Sequence, residues 1–424
     1  MRAQAPSFGC QNIRRKLVRA LTRFLRFIVG IQGAIVTGGA FSESEDAVEI
    51  KARRHRNAKP RCPECSQVLV GKIVTKTRKW RHLDFAGVRS FLVAEVREGR
   101  CPKHGRRVER VPWATSAARH THAFDFAVAS LVQVANKSAA ARMFAVTWPT
   151  VGRIVERVVD SLLPKNRFAG LRAITVDETS YKRGHRYLTV VSCAETGRVV
   201  WVEEGKSGDT LARFFEELGE ARSKQIKVVA MDMSGAYIAV VEHYAPNADI
   251  VFDRFHVVQL LLRAIDDIRR EECRALSGKA RTVIKNTRFA ILRNPEYRTP
   301  KDLETIRRIR RTNWRLFRAY QLRVDFEELW KCSTEKKACN FLQRWTTAAL
   351  ASGFEPLCKF ARTVRRHLHG ILGFFRHSGL TSAVAEGKNN KIKLIIHRAF
   401  GFASIRALLS MIYLCCSGLQ IPTA

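Results

Sequence analysis

The sequence predicts a multidomain α/β protein, and three patterns support that prediction. Residues 166–253 alternate between strand-like and helix-like segments, whereas residues 254–376 show helical periodicity almost throughout. Ahead of them lie two pairs of metal-binding residue types and a short all-helical stretch. A chain of 424 residues accommodates roughly three domains of about 150 residues each.

Positive charge is the most unusual feature of the composition. The chain has 75 Lys and Arg against 38 Asp and Glu, a formal net charge of +37, and its sequence pI is about 10.6. Such a field attracts a polyanion, most simply nucleic acid. A ribosomal-type or merely solubilised surface is the alternative. Because the charge accompanies patterned segments and is not confined to a tail, nucleic acid is favoured.

Cysteine usage and hydropathy indicate the compartment. The 11 cysteines are odd in number and sparse, unlike a secreted disulfide framework, so we expect a reducing compartment, the cytoplasm. No run of about 18 apolar residues is free of charge, so no membrane-spanning segment is predicted. Residues 1–45 form a basic segment with a helix expected from about Ile13 to Val29. Arg23 and Arg26 interrupt its apolar stretch, which disfavours a signal peptide.

Residues 46–115 are predicted to form a zinc-binding module. Two Cys-x-x-Cys/His pairs can each bind one side of a tetrahedral zinc ion, and the alternating stretch Ser90–Arg97 predicts strands that return the second pair to the first. The four residues are Cys62, Cys65, Cys101 and His104. Four protein ligands close the site, so this zinc is expected to be structural. The alternative is four unrelated residues.

Residues 116–165 have the spacing of a helix-turn-helix. The predicted helices are Phe124–Val134, Ser138–Phe144 and Thr150–Val159. We expect Arg153 and Arg157 on the last helix to contact a DNA major groove. Many three-helix packings share this pattern and bind nothing, but the charge and the adjacent zinc module favour DNA contact.

The 166–253 segment predicts a sheet with two acidic strand ends. Its order is β-β-β-α-β-α-β, which is the order of ribonuclease-H-like domains. The first and fourth strands, Arg172–Asp177 and Gln225–Asp232, end in carboxylates on neighbouring central strands. Glu178 is expected to face away from Asp177, because successive strand residues point to opposite faces.

A third acid, Glu386, lies in a predicted helix at 382–398. Two strand-end acids and a helical third can hold a pair of Mg²⁺ or Mn²⁺ ions for phosphoryl transfer. Surface or capping carboxylates are the alternative. Asn389, Asn390 and Lys393 share the helix face of Glu386, and Lys388 and Lys391 lie to its sides. We expect Lys388, Asn390, Lys391 and Lys393 to contact DNA phosphates near the scissile bond.

Residues 254–376 are predicted to be a helical insertion in the catalytic domain, which residues 377–424 complete. Far more residues separate Asp232 from Glu386 than one helix and one strand need, and a loop of that size is improbable. We expect the insertion to fold separately and lie along DNA, with Arg307 and Arg308 on phosphates. Three tryptophans among its arginines could stack on nucleic acid, although such residues are more often core. They are Trp314, Trp330 and Trp345.

Over residues 24–416 the chain resembles bacterial insertion-sequence transposases of the ISL-three family. The matching segments occur in the family's order. They are the Cys-Pro-x-Cys knuckle, Trp80-Arg-His-Leu-Asp84, Val111-Pro-Trp-Ala114, Val176-Asp-Glu-Thr-Ser-Tyr-Lys-Arg-Gly-His185, Asp253-Arg-Phe-His256, Ala385-Glu-Gly-Lys-Asn-Asn-Lys-Ile-Lys393 and Ala399-Phe-Gly-Phe402. His104 departs from the more usual fourth cysteine.

The resemblance implies a DDE transposase that acts on the terminal inverted repeats of its element, with Asp177, Asp232 and Glu386 as the metal-binding triad. We expect a homodimer on double-stranded DNA, associated with the bacterial nucleoid. Two other readings stay open. One is a non-enzymatic zinc and helix-turn-helix DNA-binding regulator, and the other is a ribonuclease-H-like nuclease that cuts without strand transfer.

Overall fold

The computed structural model of the chain describes residues 20, 22–26, 29–31, 33–55, 57–85, 87–182, 184–377, 382–399 and 401–422, without the side chains of 382–386. Of the predicted helix Ile13–Val29, residues 20, 22–26 and 29 are helical and the others lie outside the described residues. The described residues fall into two compact units. The first lies within Met1–Leu163, Phe402–Cys415 and Leu419–Ala424, and the second within Pro164–Gly401 and Cys416–Gly418. Among the described helices, none is both long and apolar enough to cross a membrane.

The first unit contains a five-stranded sheet in the order β1-β2-β4-β3, with β5 beside β4. The strands are β1 (Ile35–Ser42), β2 (Ala47–Arg53), β3 (Val70–Phe85), β4 (Val88–Cys101) and β5 (Gly105–Val108). β2 and β4 run parallel, and the other pairs are antiparallel. The boundary predicted between residues 45 and 46 therefore falls inside the β1–β2 hairpin. That hairpin was missed because Gly38 and Gly39 interrupt the alternation of β1.

Two tryptophans fix the core of this sheet. Trp80 on β3 and Trp113 after β5 are buried, and their rings meet edge to face with centroids 5.7 Å apart. Leu92 on β4 is buried in the same cluster. The segments around the two tryptophans, which carried part of the resemblance, are thus core segments of this unit.

Three short helices follow the sheet. They are α1 (His122–Val134), α2 (Lys137–Met143) and α3 (Trp148–Leu162). A side-chain oxygen caps each N-terminus, from Thr121, Asn136 and Thr147 respectively. α3 begins two residues before the predicted Thr150, because Thr147 is the residue that caps it. Its apolar face is buried at Val151, Ile154, Val155, Val158 and Val159.

The second unit contains another five-stranded sheet, in the order β10-β9-β6-β7-β8. The strands are β6 (Ala173–Lys182), β7 (Arg186–Cys193), β8 (Val199–Glu204), β9 (Val228–Met231) and β10 (Asp249–Phe252). β6, β7 and β8 form an antiparallel meander, whereas β9 and β10 run parallel to β6. The helices between them are α4 (Gly208–Leu218), α5 (Glu220–Ser223) and α6 (Gly235–Tyr244).

Eight helices and two 3₁₀ turns follow β10, and no strand occurs among the described residues of 254–376. They are α7 (Arg254–Ala275), α8 (Gly278–Lys285), α9 (Arg288–Leu292), the turn Pro295–Tyr297, α10 (Pro300–Thr312), α11 (Trp314–Glu327), the turn Glu328–Lys331, α12 (Glu335–Ala351), α13 (Glu355–Arg366) and α14 (Leu368–Arg376). Ile174 and Val229 of the sheet belong to the same buried cluster as Leu261, Leu322 and Phe326 of these helices. The expectation that this region folds separately is therefore wrong, because it shares one hydrophobic core with the sheet.

α14 returns the chain to the sheet through two close contacts. A side chain at Gly370 would meet the ring of Phe252 at 2.4 Å, and one at Gly373 would meet the carbonyl oxygen of Ile250 at 3.1 Å. The helix therefore packs directly on β10, and the next helix, α15 (Ser382–Arg398), lies beside β6.

The last helix, α16 (Ile405–Cys416), differs from the prediction that 377–424 completes the catalytic domain. Residues up to Cys415 belong to the first unit. Gln133 donates to the carbonyl oxygen of Leu414 at 2.9 Å, and Arg406 donates to Asp160 at 2.7 Å. These contacts to α1 and α3 account for the difference.

Candidate metal and nucleic-acid sites

Strands β9 and β10 end at one edge of the second sheet, level with the middle of the longer parallel strand β6. Thr175 pairs with Ala230, so Asp177 and Asp232 follow at the same level, two residues further along β6 and β9. Met231 pairs with Phe252, which brings Asp253 to the level of Asp232 on the outer strand. Asp177 and Asp232 thus lie level on neighbouring strands as predicted, and Asp253 joins them. The prediction that the first strand ends at Asp177 is wrong, because β6 continues to Lys182 by pairing with β7.

Asp177 is a partly buried carboxylate. Burial raises its pKa, while hydrogen bonds from the Glu178 amide and the Asn389 side chain and the charge of His256 oppose that shift, and Asp253 adds to it. The Glu178 amide donates to Oδ1 at 2.6 Å. Among the described residues no Lys, Arg or His forms an ion pair with Asp177 or Asp232. A partly buried carboxylate without an ion-pair partner is suited to a metal ion.

Asp232 begins the turn between β9 and α6, where its Oδ1 accepts the N–H of Ser234 at 3.0 Å. The pKa of Glu178 is raised, mainly by burial and secondly by the negative charge of Asp232. Glu178 also lies in electrostatic range of Asp177 and hydrogen-bonds with Tyr237. Sequence reasoning had set Glu178 apart from the acids, and its nearness to Asp232 was not anticipated.

The helix that carries Glu386 is attached to β6 by a neighbouring amide. Asn389, one helical turn after Glu386, donates to Oδ2 of Asp177 and accepts from Thr179 Oγ1 at 3.1 Å. The side chain of Glu386 lies outside the described residues, so its convergence with Asp177 and Asp232 stays a prediction.

Two residues of this edge were missed as site residues, although the sequence carried their signal. Asp253 caps α7 by accepting the N–H of Phe255 at 2.8 Å, and its charge raises the pKa of Asp177. His256, one turn later, lowers that pKa. Both belong to the Asp253-Arg-Phe-His256 segment, which the sequence argument used only for the resemblance.

The four predicted zinc ligands come together in the first unit. Their ligand atoms all lie within 4.8 Å of one another. Cys65 Sγ lies 3.5 Å from Cys101 Sγ, and His104 Nδ1 lies 3.6 Å from Cys62 Sγ. Tetrahedral zinc separates two thiolate ligands by about 3.8 Å. The cluster therefore has the donor set and the spacing of a closed zinc site.

Local structure explains how these ligands are positioned. Cys101 ends β4, and His104 lies in the tight turn to β5, which Gly105 closes with a φ of +70°. The outer ring nitrogen, His104 Nε2, lies 3.6 Å from Oε2 of Glu64. Arg107 holds the other oxygen of Glu64 at 2.7 Å. A carboxylate behind a ligating histidine fixes the ring orientation and the tautomer.

The two arginines predicted to read DNA from α3 have different surroundings. Arg153 is exposed and donates a hydrogen bond to Thr150 Oγ1 at 3.2 Å. Arg157 instead donates two hydrogen bonds of 2.8 Å to the buried carboxylate of Asp125 on α1. Arg157 is thus engaged inside the helical module, and its contact with a DNA groove stays a prediction.

Comparisons with known proteins agree with this arrangement. A transposase family model matches residues 174–412, the helix-turn-helix domain of transposase family ISL3 matches 109–159, and the zinc finger of the IS204, IS1001, IS1096 and IS1165 transposases matches 58–104. The chain is 36% identical over 365 residues to the transposase for insertion sequence element IS1557 of Mycobacterium tuberculosis, with 80% of this chain and 82% of that protein covered. It is 32% identical over 345 residues to the transposase for IS1001 of Bordetella parapertussis, with 80% and 85% covered.

The chain belongs to the ISL3 family of insertion-sequence transposases. The resemblance seen in the sequence is confirmed, and so is the order of zinc ribbon, helix-turn-helix and DDE transposase domain. In this transposase the Cys₃His cluster lies in the segment matched as a zinc finger, which supports Zn²⁺ as a cofactor.

Four residues on α15 of the transposase were predicted to contact phosphates. Three of them are exposed, namely Asn390, Lys391 and Lys393. Lys388 differs. Its Nζ is buried without a hydrogen-bond partner in the described part of the chain, and burial lowers its pKa to about 8. Lys388 lies on the inward helix face one turn before the buried Ile392, and its contact with a DNA phosphate stays a prediction.

The three tryptophans in the helical insertion of the transposase differ in burial. Trp345 is buried and donates to the carbonyl oxygen of Leu322 at 2.9 Å, and Trp330 stacks on Phe375 with centroids 6.1 Å apart. These two tryptophans pack in the core, as tryptophans at such a spacing more often do. Trp314 is 69% exposed. Arg307 and Arg308, the predicted phosphate contacts, are exposed on α10.

Proposed function

We propose that this ISL3 transposase binds the terminal inverted repeats of its insertion sequence, cleaves the DNA at the element ends and joins those ends to target DNA. Asp177, Asp232 and Glu386 are the proposed catalytic residues. One observation carries the proposal: Asn389 hydrogen-bonds to Asp177, so the helix with Glu386 is attached to the strand edge where Asp177 and Asp232 lie level.

The sheet supports a ribonuclease-H-like catalytic domain. Counted along the chain, its strands lie in the order 3-2-1-4-5, with the second strand antiparallel to the first and the last two parallel to it. Asp177 is on the first strand and Asp232 follows the fourth. We place the helices of 254–376 as an insertion between the fifth strand and the Glu386 helix, sharing the core of the domain.

The strand edge has the chemistry of a Mg²⁺ or Mn²⁺ site. The candidate ligands are hard oxygen atoms, and Asp177 is a partly buried carboxylate with no ion-pair partner in the described residues. Asp177, Asp232 and Glu386 would hold the ions, which stabilise the attacking and the leaving oxygen in phosphoryl transfer. Asn389 orients the Asp177 carboxylate through the bond to Oδ2.

DNA recognition is divided among three regions in this proposal. Arg153 on α3 enters a major groove of the inverted repeat, since it is exposed and makes no ion pair with a described residue. Phosphates are contacted by exposed residues of α10 and α15. These are Arg307, Arg308, Asn390, Lys391 and Lys393. The protein acts as a homodimer on the two ends, at the nucleoid in the cytoplasm, where its DNA substrate lies.

Cleavage of a labelled repeat end by Asp177→Asn tests the proposal. We expect the variant to lose both end cleavage and strand transfer while it binds the repeat almost as the natural chain does, because only a metal ligand changes. Asp209→Asn is the matched control, since Asp209 is an exposed carboxylate in the first turn of α4. Cleavage by Asp177→Asn at the natural rate would refute the assignment.

The same assay separates the two rival functions. A non-enzymatic regulator cleaves nothing, and its binding does not depend on Asp177. A nuclease without strand transfer cleaves the end but leaves it unjoined. Supplying an already cleaved end with a free 3′-hydroxyl together with a target plasmid decides this point, and we expect joined product from the natural chain and none from Asp177→Asn.

A further inference from the structure

Trp314 is a large apolar side chain that the core does not use. It is the first residue of α11, and its side chain is 69% exposed. The inward face of α11 is formed by Leu316, Ala319, Leu322 and Phe326. An indole left in water on a well-packed helix contributes little to folding, and exposed aromatic residues are typical of binding surfaces.

The backbone around Trp314 is held firmly. Asn313 caps α11 by accepting the N–H of Leu316 at 2.8 Å, and its side-chain amide donates to Glu272 of α7, also at 2.8 Å. Arg315, on the other side of Trp314, lies 3.0 Å from the second oxygen of Glu272. Both neighbours of the tryptophan are therefore anchored to the same carboxylate, so the exposed ring is carried on a fixed support.

The charge beside this ring is unneutralised. α10 ends at Thr312, two residues before Trp314, and its Arg307, Arg308 and Arg311 are exposed. None of the three forms an ion pair with a described carboxylate, whereas Arg293 and Arg315 nearby are paired with Asp302 and Glu272. An exposed indole thus adjoins an arginine surface that attracts a polyanion.

We infer that Trp314 stacks on an unpaired base of the DNA strand whose phosphates contact the α10 arginines. This inference rests on the proposed function, in which α10 contacts DNA. Bases of an intact duplex are stacked on each other and offer only their edges, so an indole finds no ring face to contact there. A single-stranded or flipped base offers that face, and aromatic residues within a basic surface are the usual way proteins hold it.

The test compares two DNA ends that have the same phosphates. One is a fully paired repeat end, and the other is the same end with a few bases of the flanking strand left unpaired and one of them replaced by 2-aminopurine. For Trp314→Ala we expect affinity for the unpaired end to fall by about tenfold, in keeping with the energy of one base–aromatic stack. Affinity for the paired end should stay unchanged. The natural chain should quench the 2-aminopurine emission, and Trp314→Ala should not.

Two further variants make the result specific. Trp314→Phe keeps a ring and should recover most of the affinity for the unpaired end. Tyr297→Ala removes another exposed aromatic residue, 72% exposed, from the same helical region. An equal loss with Tyr297→Ala would contradict the assignment to Trp314. A change of oligomeric state in Trp314→Ala without DNA would overturn the inference in favour of a protein contact.

The arginines distinguish failure of the inference from failure of the proposed function. Arg307→Ala combined with Arg308→Ala should weaken binding to both ends. If it does so while Trp314→Ala binds both ends as the natural chain does, the stacking inference alone is refuted. If the arginine variant binds both ends normally, the DNA contact of α10 is refuted and the inference with it.

Discussion

The side-chain amide of Asn389 donates a hydrogen bond to Oδ2 of Asp177, which attaches the helix of Glu386 to the strand of the first acid. The other end of the same amide accepts from Thr179 Oγ1 at 3.1 Å. Both atoms of the Asn389 amide are therefore used by β6. This residue links α15 to the strand that carries Asp177.

Replacing Asn389 by Leu should impair catalysis without impairing DNA binding. Mutation of a residue that orients a metal ligand typically lowers metal affinity or activity roughly 10- to 100-fold. We expect the Mg²⁺ concentration for half-maximal end cleavage to rise accordingly. Asn390→Leu is the control, because exposed Asn390 is proposed to contact phosphate, so it should lower DNA affinity and leave the Mg²⁺ midpoint in place. An unchanged midpoint in Asn389→Leu would contradict the role of this bond.

Arg157→Ala should destabilise the first unit. The substitution leaves Asp125, whose side chain is 2% exposed, as a buried carboxylate without its bidentate partner. Removing one member of a buried pair costs about 3–5 kcal/mol. Chemical denaturation should report this loss, and Asp125→Asn in the same chain should restore part of it. Arg153→Ala should leave stability unchanged and lower repeat affinity by about 1–3 kcal/mol. The reverse pattern for the two arginines would refute the division between them.

Glu64→Gln should weaken zinc binding. The charge of Glu64 faces the outer nitrogen of the ligand His104 across 3.6 Å, and such partners are worth roughly 10-fold or more in metal affinity. Competition with a chromogenic chelator measures the change. Cys65→Ser should abolish binding of the ion, and chelation should unfold the zinc ribbon and weaken DNA binding. Purified protein without zinc, or a Cys65→Ser variant that retains it, would contradict the site.

The free energy of unfolding of the first unit should decrease as pH falls, because of His82. Burial lowers the pKa of His82 to about 4 from 6.5, and its Nδ1 lies 2.9 Å from Thr121 Oγ1, the cap of α1. Between pH 6.5 and 4 the unfolded chain gains a proton that the native chain does not, so the free energy of unfolding decreases as pH falls through this window. The stability that neutral His82 contributes is fully present above pH 6.5 and is lost as pH falls through 4. Its loss lowers the free energy of unfolding by about 3 kcal/mol.

The measurement is the difference in free energy of unfolding between the natural chain and His82→Gln across that window. The natural chain should lose more stability on acidification than the variant does. His55→Gln, a change at an exposed histidine of the same unit, should follow the natural chain. Parallel pH curves for the natural chain and His82→Gln would refute the prediction.

The parts of this protein that short sequence patterns encode could be predicted from the sequence. Apolar runs that end in Asp177 and Asp232 defined two strands and their common level in the sheet, and two knuckles with Cys or His at fixed spacing defined the zinc cluster. Each of these signals lies within about ten residues of chain, where strand and turn preferences act.

Pairings between distant segments could not be predicted in the same way. Nothing near Arg157 in the sequence indicates that Asp125, 32 residues earlier, accepts hydrogen bonds from two of its guanidinium nitrogens. The helical period around Lys388 is compatible with either face, and only packing against the sheet turns it inward. The affiliation of α16 with the first unit likewise depends on partners such as Gln133, 281 residues before Leu414.

The most direct test of the central claim is the anomalous diffraction of Mn²⁺ in crystals of the transposase bound to its cleaved repeat end. We predict two Mn²⁺ ions about 4 Å apart, bound by carboxylate oxygens of Asp177, Asp232 and Glu386 beside the 3′-hydroxyl of the DNA. Anomalous density that is absent from the region around Asp177 and Asp232, or a Glu386 side chain that contacts neither ion, would contradict the account.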